Sequence, residues 1–153
     1  MRKIMFTVSV IIISSFFLVI SCYAQPDNSQ SSIQEVKKET KELIKALKNY
    51  SSKQRKEALK KAETGMEKID RRIDKLENQL DEKWNNMDKN ARKKARLAMK
   101  NLRKQRNELS QWYGSFKTSS ETAWEQMKKG FTDAYETMSR TWEKTADKLD
   151  SDN

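Results

Sequence analysis

Between Glu121 and Leu149 the chain repeats itself every eleven residues, as ETAWEQMKKGF, TDAYETMSRTW and the partial EKTADKLDSDN. Trp124, Tyr135 and Ala146 fall in step, as do Met127, Met138 and Leu149, and Phe131 with Trp142. The spacing of three, four and four residues is that of one helix face. An eleven-residue period is about 3.67 residues per turn, close to an unperturbed helix, so the stripe stays on one face with little supercoil. The pattern predicts a helix here.

Earlier stripes have related rhythms. Ile33, Val36, Leu43, Leu47 and Tyr50, with Thr40 in the vacant slot, predict a helix that Ser51-Ser52 interrupts. Ser51 and Gln54 have capping-box spacing, the mark of a kink or a fresh helix start. Leu59, Ala62, Met66, Ile69, Ile73, Leu76, Leu80 and Trp84 then follow the a/d heptad of a coiled-coil seam. Gly65 inside it costs the helix about 1 kcal/mol relative to alanine. The Asn- and Asp-rich run Asn85 to Asn90 is the clearest turn, with Asp88 or Asn90 as N-cap of the next helix. The stripe after it is Ala91, Ala95, Ala98, Leu102, Leu109, Trp112 and Phe116, with Gln105 in the missing slot. Gly114 and the cluster 118–121 interrupt it, and Thr118 with Glu121 repeats the capping-box spacing.

Folded back near Met87, the stripes face each other: Leu80 with Ala95, Ile73 with Leu102, Met66 with Leu109, and further out Leu47 with Met127 and Ile33 with Trp142. The interruptions at Ser51 and Ser120 come opposite one another. Charge agrees. Glu63, Glu67, Asp70, Asp74, Glu77 and Asp81 form an acidic stripe, while every charged residue from Lys89 to Arg106 is basic. An antiparallel fold sets these runs side by side and a parallel one does not. The expected fold is all-α: a long antiparallel helical hairpin over 33–149, a coiled coil kinked near Ser51 and Ser120 into four helical segments, with its turn near 85–90 and a tail at 150–153.

The start of the chain reads differently. Arg2 and Lys3 precede an apolar run from Ile4 to Ile20, the layout of a secretory signal, with an uncleaved anchor helix as the alternative. Val19-Ile20-Ser21-Cys22 resembles a bacterial lipobox, in which Cys22 becomes the lipidated first residue. Cys22-Tyr23-Ala24 instead offers ordinary cleavage after Ala24. Residues 1–24 are therefore expected as signal and 25–32, which hold the only proline, as a tether. The chain is expected in the periplasm, membrane-anchored through Cys22 or, by the second exit, soluble.

With one cysteine and no histidine, the sequence supports neither a disulfide framework nor a Cys/His metal site. The net charge is +10, and two of the cations lie in the signal, so the exported part is basic by about eight. That balance favours anionic lipid surfaces, acidic envelope polymers or acidic proteins, and export argues against nucleic acid. Arg92, Lys93, Arg96, Lys100 and Arg103 are the candidate polyanion-binding residues, although complementarity to the acidic helix is the simpler reading. They lack the interleaved aromatics of a single-strand stacking platform.

Trp124, Met127, Phe131, Tyr135, Met138 and Trp142 form a candidate interaction face. It would place rings in a headgroup layer, or pack as a seam on 33–50 or on a second copy of the chain. The segment's net negative charge favours the seam. The acidic stripe spreads along about 27 Å of helix, so its carboxylates do not converge as acid/base catalysis requires. Without a phosphate loop, a nucleophile elbow or a histidine to activate serine, no enzyme activity, cofactor or small-molecule substrate is expected.

The run Trp124-Glu125-Gln126-Met127-Lys128-Lys129-Gly130-Phe131, followed by Ala134-Tyr135-Glu136 and Trp142-Glu143-Lys144, resembles the repeats of small bacterial coiled-coil stress-response proteins with apolipoprotein-like helices. Arg103-Lys104-Gln105-Arg106-Asn107-Glu108-Leu109 is similar to the charged helix that precedes those repeats. The resemblance runs from about Gln54 to Leu149. It implies a helical fold and a link to envelope or salt stress, and it carries no catalytic residues. The export signal departs from it and argues against a cytoplasmic role. The expected protein is thus a non-catalytic envelope interaction or structural protein, a homo-oligomer or bound to a protein partner, with a lipid- or polyanion-binding module as the alternative.

Overall fold

The computed structural model describes residues 28–151; the expected signal, Cys22 and residues 152–153 lie outside them. The described residues are all-helical, without a strand: α1 Asn28–Lys48, α2 Arg55–Lys83, α3 Lys89–Thr118 and α4 Trp124–Ser151. Short 3-10 turns at Ser52–Gln54 and Trp84–Asn86 flank α2. α1 begins before the expected tether ends, so 28–32 are helical, and α4 runs on into the expected tail.

Helix ends follow their side chains. Ser51 donates its N–H to Gln54 Oε1 at 3.3 Å. Asp88 caps α3, accepting from the Ala91 N–H at 2.7 Å. That bond and a second from the Asn90 N–H hold the Asp88 carboxyl below its ordinary range. Arg92 reaches back to the carbonyls of Trp84 at 3.0 Å and Asn85 at 3.4 Å, satisfying acceptors left open where α2 ends. At the last break Thr118 folds onto the Gly114 carbonyl, and Ser120 Oγ accepts from the Ala123 N–H at 3.2 Å. Ser120, not Thr118, takes the capping role before α4.

Both predicted pairings form. α2 and α3 run antiparallel about the turn, with Asp70 against Arg106, Glu77 against Arg103 and Trp84 against Arg92. α1 and α4 run antiparallel too, with Lys37 beside Glu143, Thr40 beside Ser139 and Tyr50 beside Trp124. The breaks differ from expectation. α1 lies back along α2, where Glu39 meets Lys68 and Arg72. α4 lies back along α3, where Phe116 meets Trp124 and Tyr113 meets Phe131. Each break is a reversal, not a kink, so the expected single long hairpin is replaced by four helices running up-down-up-down in a bundle.

The physical reason is a second buried flank. A single hairpin covers one seam per helix and leaves the other flanks in water. In the bundle Lys128, Thr132, Ser139 and Thr145 are buried beside the apolar stripe of α4. Thr40 donates to Ser139 Oγ at 2.8 Å inside this seam. No buried side-chain N or O among the described residues lacks a hydrogen-bond partner. Ala58 and Met99 join the core, beside the Leu59 and Ala98 that periodicity favours. The bundle supplies a core of its own from all four helices.

Two glycines mark where helices approach closely. A Cβ on Gly65 would stand 2.6 Å from Leu43 Cδ2 and 3.0 Å from the Tyr135 ring. A Cβ on Gly130 would collide with the ring of Trp112, which lies over it and stays 39% exposed. Trp112 thus covers α4 from outside and does not enter the core as its place in the α3 stripe suggests.

Candidate anion-binding surface

The aromatic stripe of α4 is spent inside the protein. Trp124, Phe131, Tyr135, Met138 and Trp142 are buried and Met127 is half-buried. Phe116 stacks with Phe131 at 5.7 Å and sits 4.6 Å from Trp124. The polar atoms of the stripe end on backbone carbonyls: Trp124 Nε1 on Tyr50 at 3.4 Å, Tyr135 Oη on Gly65 at 3.3 Å, Trp142 Nε1 on Arg72 at 3.3 Å. Arg55 lies over Trp124 and Arg72 over Trp142. The candidate interaction face is therefore an internal seam, because α1, α2 and α3 together cover it. It is the seam on 33–50 that the sequence offered as one choice, extended to two more helices.

The basic block divides. Arg103 is held by Glu77, with Nε at 2.9 Å and a terminal nitrogen at 2.7 Å from the same carboxylate oxygen. Arg106 forks onto Asp70, both bonds at 2.6 Å, and this carboxylate raises the guanidinium pKa further. These two contacts carry the predicted charge complementarity between α2 and α3, and they occupy Arg103. Arg92 and Arg96 flank the Trp84 ring at 5.5 and 4.8 Å. Arg92 also bonds the carbonyls at the end of α2, so part of its role is structural.

Of the basic block, the cations that gather without a carboxylate among them lie near the start of α3. Met87, Lys89, Asn90, Arg92, Lys93, Arg96 and Leu97 line a hollow of about 830 Å³ that contains four cations, two apolar side chains and no carboxylate. Helical geometry makes it: positions 89, 92, 93, 96 and 97 are three or four apart and share one face. Leu97 is 58% exposed in the middle of the cations. A neighbouring hollow of about 540 Å³ between α2 and α3 includes Lys100 and Arg103, but Glu77 and Asp81 line it too. Arg92, Lys93 and Arg96 thus meet in one surface, while Lys100 and Arg103 belong to the mixed-charge one, whose wall Arg96 shares.

Lys89 heads the basic run and Met87 marks the turn in the sequence, but neither is among the candidate binding residues read there, and Leu97 is not named at all. Leu97 does carry a signal: it is apolar yet out of step with Ala91, Ala95 and Leu102. Side chains of this kind hold phosphate or carboxylate oxygens by charge-assisted hydrogen bonds and bury a little hydrocarbon beside them. Among the described residues no group of His, Cys, Asp or Glu is placed to hold a metal ion. None of the described helices is long and apolar enough to cross a membrane. Compared with known families, curated proteins and solved structures, the chain matches none of them.

Proposed function

We propose that this is a non-catalytic, exported helical protein of the cell envelope that binds anionic surfaces through the hollow at the start of α3. The observation that carries the reading is the lining of that hollow: Lys89, Arg92, Lys93 and Arg96 beside Met87 and Leu97, with no acid among them. Each cation brought to an anionic surface contributes about 1 kcal/mol, and the attraction weakens beyond about 8 Å at physiological salt. Export and anchoring through Cys22 are part of the proposal, supported by the apolar run and lipobox-like ending of the first residues. The stress association is supported by the α4 repeats and the charged helix before them.

The amphipathic alternative, with the rings of α4 entering lipid, requires the bundle to open, since those rings are buried. Vesicle flotation of the chain from Gln25 onward, which contains the whole bundle, tests the reading. Binding to vesicles containing phosphatidylglycerol, absent on neutral ones, is expected to fall at least tenfold in Lys89→Glu with Lys93→Glu. The same charge change at the other end, Lys56→Glu with Lys117→Glu, is expected to matter much less. Equal losses from the two ends would sink the proposal.

A further inference from the structure

The register of the bundle says where the chain enters it. Glu39 on α1 is level with Lys68 and Arg72 on α2, and the two helices run antiparallel. Thr40 is level with Ser139, and Lys37 with Glu143. Traced back by the same offset, the start of α1 at Asn28 is level with the last turns of α2 and α4. Arg103 pairs with Glu77 and Arg92 reaches Trp84, so that level on α3 is near Leu97. The first residues of α1 and the basic hollow therefore share one end of the bundle. The turns at 49–54 and 119–123 lie at the other end, about 45 Å away for a helix of α3's length.

We infer that the hollow faces the anionic surface of the same membrane that holds the chain through Cys22, so anchor and hollow form a two-point attachment. This rests on the function proposed for the hollow and names the partner of that surface. The reach is sufficient. Asn28 comes six positions after Cys22, which span at most about 20 Å, and the α2–α3 turn projects about 10 Å past the level of Asn28. An acyl group at Cys22 thus holds the turn within contact distance of headgroups. Arg92, Lys93 and Arg96 would meet lipid phosphates, and Leu97 would meet the boundary of the acyl layer. The lipid on Cys22 holds the chain at the surface, and a basic patch at the same end sets which part of the bundle meets the headgroups. The indifferent arrangement, with cations at the far end, would leave them many Debye lengths from the membrane.

The full chain, recovered from membranes in detergent and reconstituted in phosphatidylglycerol vesicles, tests this through a dye at one introduced thiol. Energy transfer to headgroup-labelled lipid is expected to be at least threefold greater from Asn90→Cys than from Ser120→Cys. Lys89→Glu with Lys93→Glu is expected to reduce that difference by half or more, and Lys56→Glu with Lys117→Glu to leave it. Equal transfer from the two positions, or the reverse order, overturns the inference. So does a second dye on the intact mass, which reports an unmodified Cys22, or recovery of the exported chain in the soluble fraction. If flotation still depends on Lys89 and Lys93 while the dyes report no preferred end, only the orientation fails. If flotation itself ignores those lysines, the function proposed for the hollow fails.

Discussion

Tyr135 donates its hydroxyl to the carbonyl of Gly65 at 3.3 Å, and its ring occupies the space a side chain at 65 would need. The contact brings α2 against α4 across the diagonal of the bundle. A residue that weakens an isolated helix is here what allows the helix to be packed.

Gly65→Ala is expected to destabilise the protein by about 1 kcal/mol, because overpacking costs about 1–3 kcal/mol and outweighs a propensity gain of about 1 kcal/mol. Leu43 can swing aside, but the Tyr135 ring is buried and cannot. Gly114→Ala supplies the control. Nothing stands within 4 Å of a Cβ there, so the same change should stabilise by about 0.5–1 kcal/mol. Urea denaturation of both variants checks the opposite signs.

Burial pushes the Tyr135 hydroxyl up to about 12. A group whose folded value is raised contributes stability below its unfolded value, near 10, and loses it as pH rises through the folded one. The native protein should therefore lose stability between about pH 10 and 12. Tyr135→Phe should lose less over that window, while starting about 1 kcal/mol lower at neutral pH. Thermal melts at pH 7 and pH 11 make the comparison.

Glu39 gives the opposite sign. Burial pushes its carboxyl up, but hydrogen bonds from Lys68 and Arg72 and their charges outweigh this and leave it lowered. The stability it contributes is present above its unfolded value, near 4.3, and is lost as pH falls through the folded one. Glu39→Gln is expected to cost about 1 kcal/mol at pH 7, discounted for a side chain 21% exposed, and less at pH 3, below the unfolded value. Denaturant midpoints at the two pH values decide it.

Lys128 is a cation where a hydrophobic side chain would be expected. Its ammonium donates to the Tyr50 carbonyl at 2.8 Å and to Glu125 at 2.8 Å, and its side chain is only 6% exposed. Lys128→Met keeps the stem but leaves that carbonyl only the indole of Trp124 at 3.4 Å. A loss of about 1–2 kcal/mol is expected, with the end of α1 showing faster amide exchange. Unchanged exchange at 47–50 would remove Lys128 from the closure of the first turn.

The helices, the three places where they break, and the partners α1–α4 and α2–α3 were legible because each rests on local or pairwise signals. Periodicity sets the buried face of each helix. Opposed charge selects the antiparallel sense, and Asp70 with Arg106 and Glu77 with Arg103 meet as the two runs require. A serine-rich break, by contrast, suits a bend and a reversal equally well.

Sequence alone therefore determined an all-helical chain, its seams and its basic bias. Only the tertiary structure decided that the breaks are reversals and the four helices close into a bundle. The positions buried by that closure are Lys128, Thr132, Ser139 and Thr145, which carry no hydrophobic signal and are hidden by neighbours far away in the chain. The same closure took the α4 rings out of reach, while the α2–α3 seam itself engaged Arg103 with Glu77 and left Lys89, Lys93 and Leu97 outward. Which charges face water depends on what the other helices cover, and that is a property of the assembled bundle.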